Sequence, residues 1–144
     1  MSNENRLEIE ELLNNYLKAT TKKGDKTFFT SKVTSDFIEV DSECDSNNAT
    51  QCMMQKSSTS ENLYLKSGKI DFINKLDISD DNQFAFFSFT ATMLYEKRLF
   101  GFKDFTDDIY NMNIFSGYLK KLDGKWRLAW IQQAMKYIEV DEDE

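Results

Sequence analysis

Phe84 and Phe86 alternate with Phe87 and Phe89 inside a strand-like run, Gln83–Lys97, that is rich in Phe, Thr and Tyr. Successive side chains of a strand point to opposite faces, so these rings stand on both sides of any sheet the run joins. A sheet that is apolar on both faces must be covered on both. That requirement restricts the fold more than any other feature of the chain. One face can be covered by a helix of the same chain; the other needs a partner, most simply a second copy.

The helix is supplied at the N-terminus. Over Arg6–Thr21, the residues Ile9, Leu12, Leu13, Tyr16, Leu17 and Thr20 recur at three- and four-residue steps and make one apolar stripe. Asn3 or Asn5 can cap this helix, and Glu8, Glu10 and Glu11 suit its positive end. Lys22-Lys23-Gly24 closes it, with cations at the negative end and then a glycine. Asp25 can cap a second, short helix running to Val33, whose Phe28, Phe29 and Val33 face the core.

Asp36–Asp41 is a short β-like run, and Ser42–Gly68 is a long polar stretch in which 49–56 can form a third helix. From Lys69 the pattern turns strand-like. Ile70–Ile78 ends at the turn Ser79-Asp80-Asp81-Asn82; Gln83–Lys97 follows; Arg98–Phe105 loops around Gly101. Asp108–Leu122 holds Gly117, a candidate bulge, and Asp123-Gly124 is a strong hairpin signal leading into Lys125–Ile138. Helices first and an antiparallel meander afterwards define an α+β domain over 1–138 with segregated helices, followed by an acidic disordered tail at 139–144.

Composition removes several chemistries. Histidine is absent, which excludes a His general base, Ser-His or Cys-His nucleophile pairs and His metal ligands. Cys44 and Cys52 are too few for a structural zinc site; they read as free thiols of a reducing compartment, although a disulfide between them stays open. The carboxylate pairs Asp80-Asp81 and Asp107-Asp108 lack the alternating oxygen ligands of a calcium loop and read as solvated turns, so no metal and no cofactor is expected. Net charge is −7, of which the tail contributes −5, leaving about −2 on the body. No basic stripe is visible, so no nucleic acid is expected as a partner. Residues 1–11 lack a signal-peptide core and the densest apolar run, Phe84–Phe89, is too short to span a bilayer, so a cytoplasmic location and no membrane partner are expected.

Three stretches, in this order, resemble the nuclear transport factor 2-like superfamily, which includes ketosteroid isomerases and SnoaL-like polyketide cyclases. They are Asn15-Tyr16-Leu17-Lys18-Ala19 leading through Gly24-Asp25, then Ser35-Asp36-Phe37-Ile38-Glu39-Val40-Asp41, then Lys120 to Trp130 around Asp123-Gly124-Lys125-Trp126. The resemblance implies a cone-shaped curved antiparallel sheet wrapped around the long N-terminal helix (a cystatin-like α+β roll), a pocket at the open end of the cone, and homodimers through the sheet. It also implies roles. Tyr16 falls where the steroid isomerases keep an oxyanion-binding tyrosine, and Asp41 where they keep the aspartate general base. Their second acid falls near Ser116 when counted back from Gly124-Lys125, and serine is not that acid. The His-Asp machinery of scytalone dehydratase is ruled out by the missing histidine.

A phenol in a dry pocket stabilises developing negative charge, and a carboxylate across from it can shuttle a proton. Tyr16 and Asp41 are therefore the candidate catalytic residues. Tyr110, Phe115, Ser116, Trp126 and Trp130 are candidates to line the pocket or the dimer interface. The functions in view are a binder of a small apolar molecule, with or without isomerase-, cyclase- or dehydratase-like chemistry, and a non-catalytic dimerisation or protein-binding module. An immunity-type inhibitor, supported by the sequence pI near 4.7, is a variant of the second.

Overall fold

The structure is a computed structural model that describes residues 3–21, 23–40, 63–99, 102–103 and 109–136. Helix α1 spans Asn3–Thr20 and a one-turn helix α2 spans Phe28–Ser31. Six strands follow: β1 (Val33–Val40), β2 (Leu63–Ile78), β3 (Phe84–Leu99), β4 (Phe102–Lys103), β5 (Ile109–Leu122) and β6 (Lys125–Lys136). The strand order is β1-β6-β5-β3-β2, with the short β4 paired to β3.

The stripe of α1 is buried as its spacing requires: Ile9, Leu12, Leu13, Tyr16, Leu17 and Thr20 all turn inward. They meet Ala85, Phe87, Phe89, Ala91 and Met93 of β3 and Phe115 and Leu119 of β5 in one core. These alternate residues define the inner face of the sheet, and Phe84 and Phe86, 45% and 59% exposed, stand on the outer face. Helix α1 touches both β2 and β6. Those strands are three positions apart in the sheet, about 14 Å if it were flat, so it curls around a helix about 10 Å wide. The sheet is curved and unclosed.

Strands β2 to β6 pair antiparallel, as expected from the meander, but β1 joins β6 in parallel, with Ile38 opposite Trp130 and Glu39 opposite Ile131. The sheet is therefore mixed. Connectivity permits this: β1 and β6 are far apart in the chain, so no hairpin forces them antiparallel. Strand β1 also starts earlier than expected, at Val33, which limits α2 to one turn.

The end of α1 is closed by a residue outside the Lys22-Lys23-Gly24 signal. Lys26 Nζ donates to the carbonyls of Ala19, in the last turn of the helix, and Thr21, just beyond it, both at 2.6 Å. Gly24 is required there by space, since a Cβ would lie 2.0 Å from the Lys18 carbonyl oxygen. Asp25 makes a local turn in place of a helix cap, its Oδ1 accepting from the N–H and hydroxyl of Thr27. Asn5 lies inside α1, where its Oδ1 accepts from Lys121 Nζ and Trp126 Nε1. Glu8 accepts from the Trp126 N–H at 2.8 Å, and together these bonds fasten the helix to the β5–β6 hairpin.

The third helix expected at 49–56, both cysteines, Gly101, Asp107-Asp108 and the acidic tail lie outside the described residues. Among the described residues, no helix is long and apolar enough to cross a membrane.

Candidate functional site

The inner face of the sheet carries its polar residues together, beyond the rings of the core. Tyr16 is fully buried in α1 and packs edge-on against Phe28, Phe29 and Phe115, with ring centroids 5.9, 6.1 and 6.1 Å away. Its hydroxyl donates to Glu39 Oε1 at 2.5 Å. Glu39 comes from β1 and is 1% exposed. Phe115 stacks on Phe89 at 4.9 Å, so the phenol emerges from an aromatic floor.

Two residues further along β5 from Phe115 on the same face is Asn113, which is fully buried. Its Oδ1 accepts from Gln133 Nε2 at 3.0 Å, and its Nδ2 lies 3.5 Å from the Asn111 carbonyl. Asn111 follows, 8% exposed and opposite Met93 in the β3–β5 ladder. Tyr16, Glu39, Asn111 and Asn113 are buried polar residues on the helix side of the sheet, and Gln133, half-buried, is bonded to Asn113. Together they can donate and accept hydrogen bonds, and Glu39 can take or release a proton. Among the described residues there is no group of three or more His, Cys, Asp or Glu side chains placed to hold a metal ion.

The other candidates are dispersed. Asp41 lies just past β1 and outside the described residues. Phe115 is on the inner face beside Tyr16, whereas Trp126 is on the inner face at the opposite end, tied to Asn5 and Glu8. Tyr110, Ser116 and Trp130 are on the outer face and cannot line a cavity on the helix side. Ser116 is opposite Ser88 and Gln132, because Phe115 points inward and the next residue must point outward. Trp126 and Trp130 would share a face of a regular strand. The β5–β6 ladder pairs Leu119 with Leu128 and Tyr118 with Trp130, leaving Ala129 as a bulge that reverses the phase between the two tryptophans.

Sequence reasoning passed over Glu39, Asn111 and Asn113. A polar residue inside a strand ordinarily marks the solvent side, and only the packing of β1 and β5 shows that these three point inward. The one available signal was spacing: Asn111, Asn113 and Phe115 share a period of two.

The helix-wrapped, curled sheet is the nuclear transport factor 2-like fold. An NTF2-like protein of unknown function from Prochlorococcus sp. NATL2A superposes with a TM-score of 0.72 at 19% identity, covering 96% of this chain and 97% of its own. A ketosteroid isomerase-like protein from Erwinia carotovora atroseptica gives 0.69 at 15% identity, covering 95% and 100%. The hexachlorocyclohexane dehydrochlorinase LinA-type3 from Novosphingobium barchaimii LL02 gives 0.66 at 12% identity, covering 94% and 92%. None of the curated proteins matches the sequence. Within this fold, the chain belongs to the family described as protein of unknown function DUF3804, whose profile matches residues 4–141.

Proposed function

We propose that the protein binds a small, mostly apolar molecule between α1 and the inner face of the sheet, and that the Tyr16–Glu39 pair is the polar centre of that site. The observation that carries this reading is the burial of Glu39, at 1% exposure, against the Tyr16 hydroxyl. A carboxyl in an apolar interior is costly to keep, and such groups are concentrated where chemistry or binding uses them. The folds of an isomerase-like protein and a dehydrochlorinase support a ligand site of this kind. In the catalytic form of the proposal, Tyr16 stabilises an oxyanion and a carboxylate moves the proton, as in isomerase, cyclase or dehydratase chemistry. Asp41 keeps that second role and Glu39 joins it as a candidate. From the sequence we also propose a cytoplasmic location, with Cys44 and Cys52 as thiols.

The test is a screen of neutral apolar compounds against the full chain by protein-observed NMR. Saturable shifts at Tyr16, Phe115 and Asn113 are expected, and they should weaken in Glu39→Gln. Absence of saturable binding on the inner face across the panel would overturn the reading.

A second reading is favoured by the outer face, which displays Phe72, Phe84, Phe86, Tyr110 and Ile114, all exposed. We propose that it pairs two copies of the chain. Between these rings Ser88, Thr90, Met112, Ser116 and Tyr118 carry no charge, while Asp77 and Lys120 stand opposite Phe86 and Phe84. Light scattering at micromolar concentration should give twice 16.9 kDa; a monomer would overturn it.

A further inference from the structure

Asn111 is a polar residue of the inner face whose side-chain oxygen the described residues leave unsatisfied. It is 8% exposed, and its Oδ1 is buried with no hydrogen-bond partner among the described residues. Its neighbour Asn113 makes one short bond and one long one. The Gln133 amide holds its Oδ1 at 3.0 Å, while its Nδ2 reaches nothing better than the Asn111 carbonyl at 3.5 Å, the outer limit of a hydrogen bond. The surroundings are apolar. Met93 faces Asn111 across the ladder, with Gly68 on the far side of Met93. A Cβ at Gly68 would come 2.9 Å from Met93 Sδ and 3.4 Å from Leu17 Cβ, so α1 and β2 close in tightly here.

Buried amides without partners are rare, because each loses its water without replacement. Strand β5 carries one such amide oxygen, on Asn111, beside a second buried amide, Asn113, whose N–H hydrogen bond is long, where an apolar pair would pack without that loss. We propose that Asn111 and Asn113 are a ligand subsite, which takes the hydroxyl group of an uncharged, otherwise apolar molecule. The inference rests on the pocket reading above and deepens it. A hydroxyl both donates and accepts. It can give its proton to Asn111 Oδ1 while accepting from Asn113 Nδ2, and it suits the Asn111 amide in either of its two orientations. A charged group fits poorly, since amides cannot neutralise a buried charge and the charged side chain of the cluster, Glu39, is acidic. Tyr16 and Glu39 would then act on the part of the ligand that lies over the aromatic floor, with the amides fixing its far end.

The probes are 5-indanol and indane, which differ by one hydroxyl. Without a subsite the added hydroxyl should weaken burial, so indane should bind at least as well. With it, wild-type protein should bind 5-indanol roughly ten-fold more tightly than indane. Asn111→Leu, which keeps the branching and removes both polar atoms, should bring the two affinities within about two-fold and leave indane binding no weaker. In wild-type protein, the side-chain amide resonances of Asn111 should shift with 5-indanol and not with indane, which keeps the inference testable if the leucine variant does not fold. Equal binding of both probes by wild type, or a preference that survives in Asn111→Leu, overturns the subsite and leaves the pocket standing. If neither probe binds, the pocket reading fails and the subsite fails with it.

Discussion

At the scale of residues, the interior depends on a hydrogen bond between one phenol and one carboxyl. The Tyr16 hydroxyl donates to Glu39 at 2.5 Å with both groups buried. Tyr16→Phe keeps the ring contacts and removes the donor, so the carboxyl loses a bond where water cannot replace it. The expected loss is about 1–3 kcal/mol, measured as a lower urea midpoint with an unchanged slope. Glu39→Gln should cost less, since the amide oxygen still accepts from the phenol. Asp81 provides a contrast at the surface. The hydroxyl of Ser79, then the N–H of Gln83, hold its carboxyl below the ordinary value of 3.8. A lowered folded-state pKa contributes stability that is present above 3.8 and is lost as pH falls through the lower folded value. Asp81→Asn should therefore lower the urea midpoint at pH 7 and lose that difference in strong acid. A difference that is the same at both pH values would show that the charge has no part. Tyr16 was legible because its helical spacing forces it inward. Glu39, Asn111 and Asn113 were not, because the inward orientation of a polar strand residue depends on neighbours far away in the chain.

Secondary structure elements were legible wherever local chemistry fixes them. Asp123 and Gly124 take φ of 52° and 75°, the positive pair of a type I′ turn, as the Asp-Gly signal requires. The parallel pairing of β1 with β6 and the Ala129 bulge were not legible, since both are set by tertiary packing. The two glycines of this hairpin separate conformation from space. A Cβ added at Gly124 would meet nothing within 4 Å, so Gly124→Ala should lose only the positive-φ preference, about 1 kcal/mol. At Gly117 a Cβ would sit 1.9 Å from the Trp130 carbonyl oxygen, a backbone atom held by the bulge. Gly117→Ala should therefore be the more destabilising of the two, by about 1–3 kcal/mol more, in thermal or urea unfolding. Equal losses would mean that β6 can move away from β5 at its bulge.

For the whole molecule, the sheet must resolve the requirement met first in its sequence, two apolar faces to cover. The inner one is closed by α1, which buries Phe87 and Phe89. The outer one leaves Phe86 59% and Phe72 57% exposed, on neighbouring strands, and Phe86 lies against Tyr118 of β5 with centroids 6.2 Å apart. Large exposed rings clustered on one surface are unusual for a monomer and usual for an interface core. Pairing through this face predicts a clean separation of effects. Phe86→Asp would bring two carboxylates into a shared apolar contact, where like charges are both desolvated and repelled, and should halve the mass seen by light scattering. The Phe86 side chain does not enter the α1 core, so the circular dichroism spectrum should be unchanged. The wild-type melting temperature should rise with protein concentration, because dissociation is linked to unfolding, and that of Phe86→Asp should not. A variant with wild-type mass would exclude Phe86 from the contact and overturn pairing through this face.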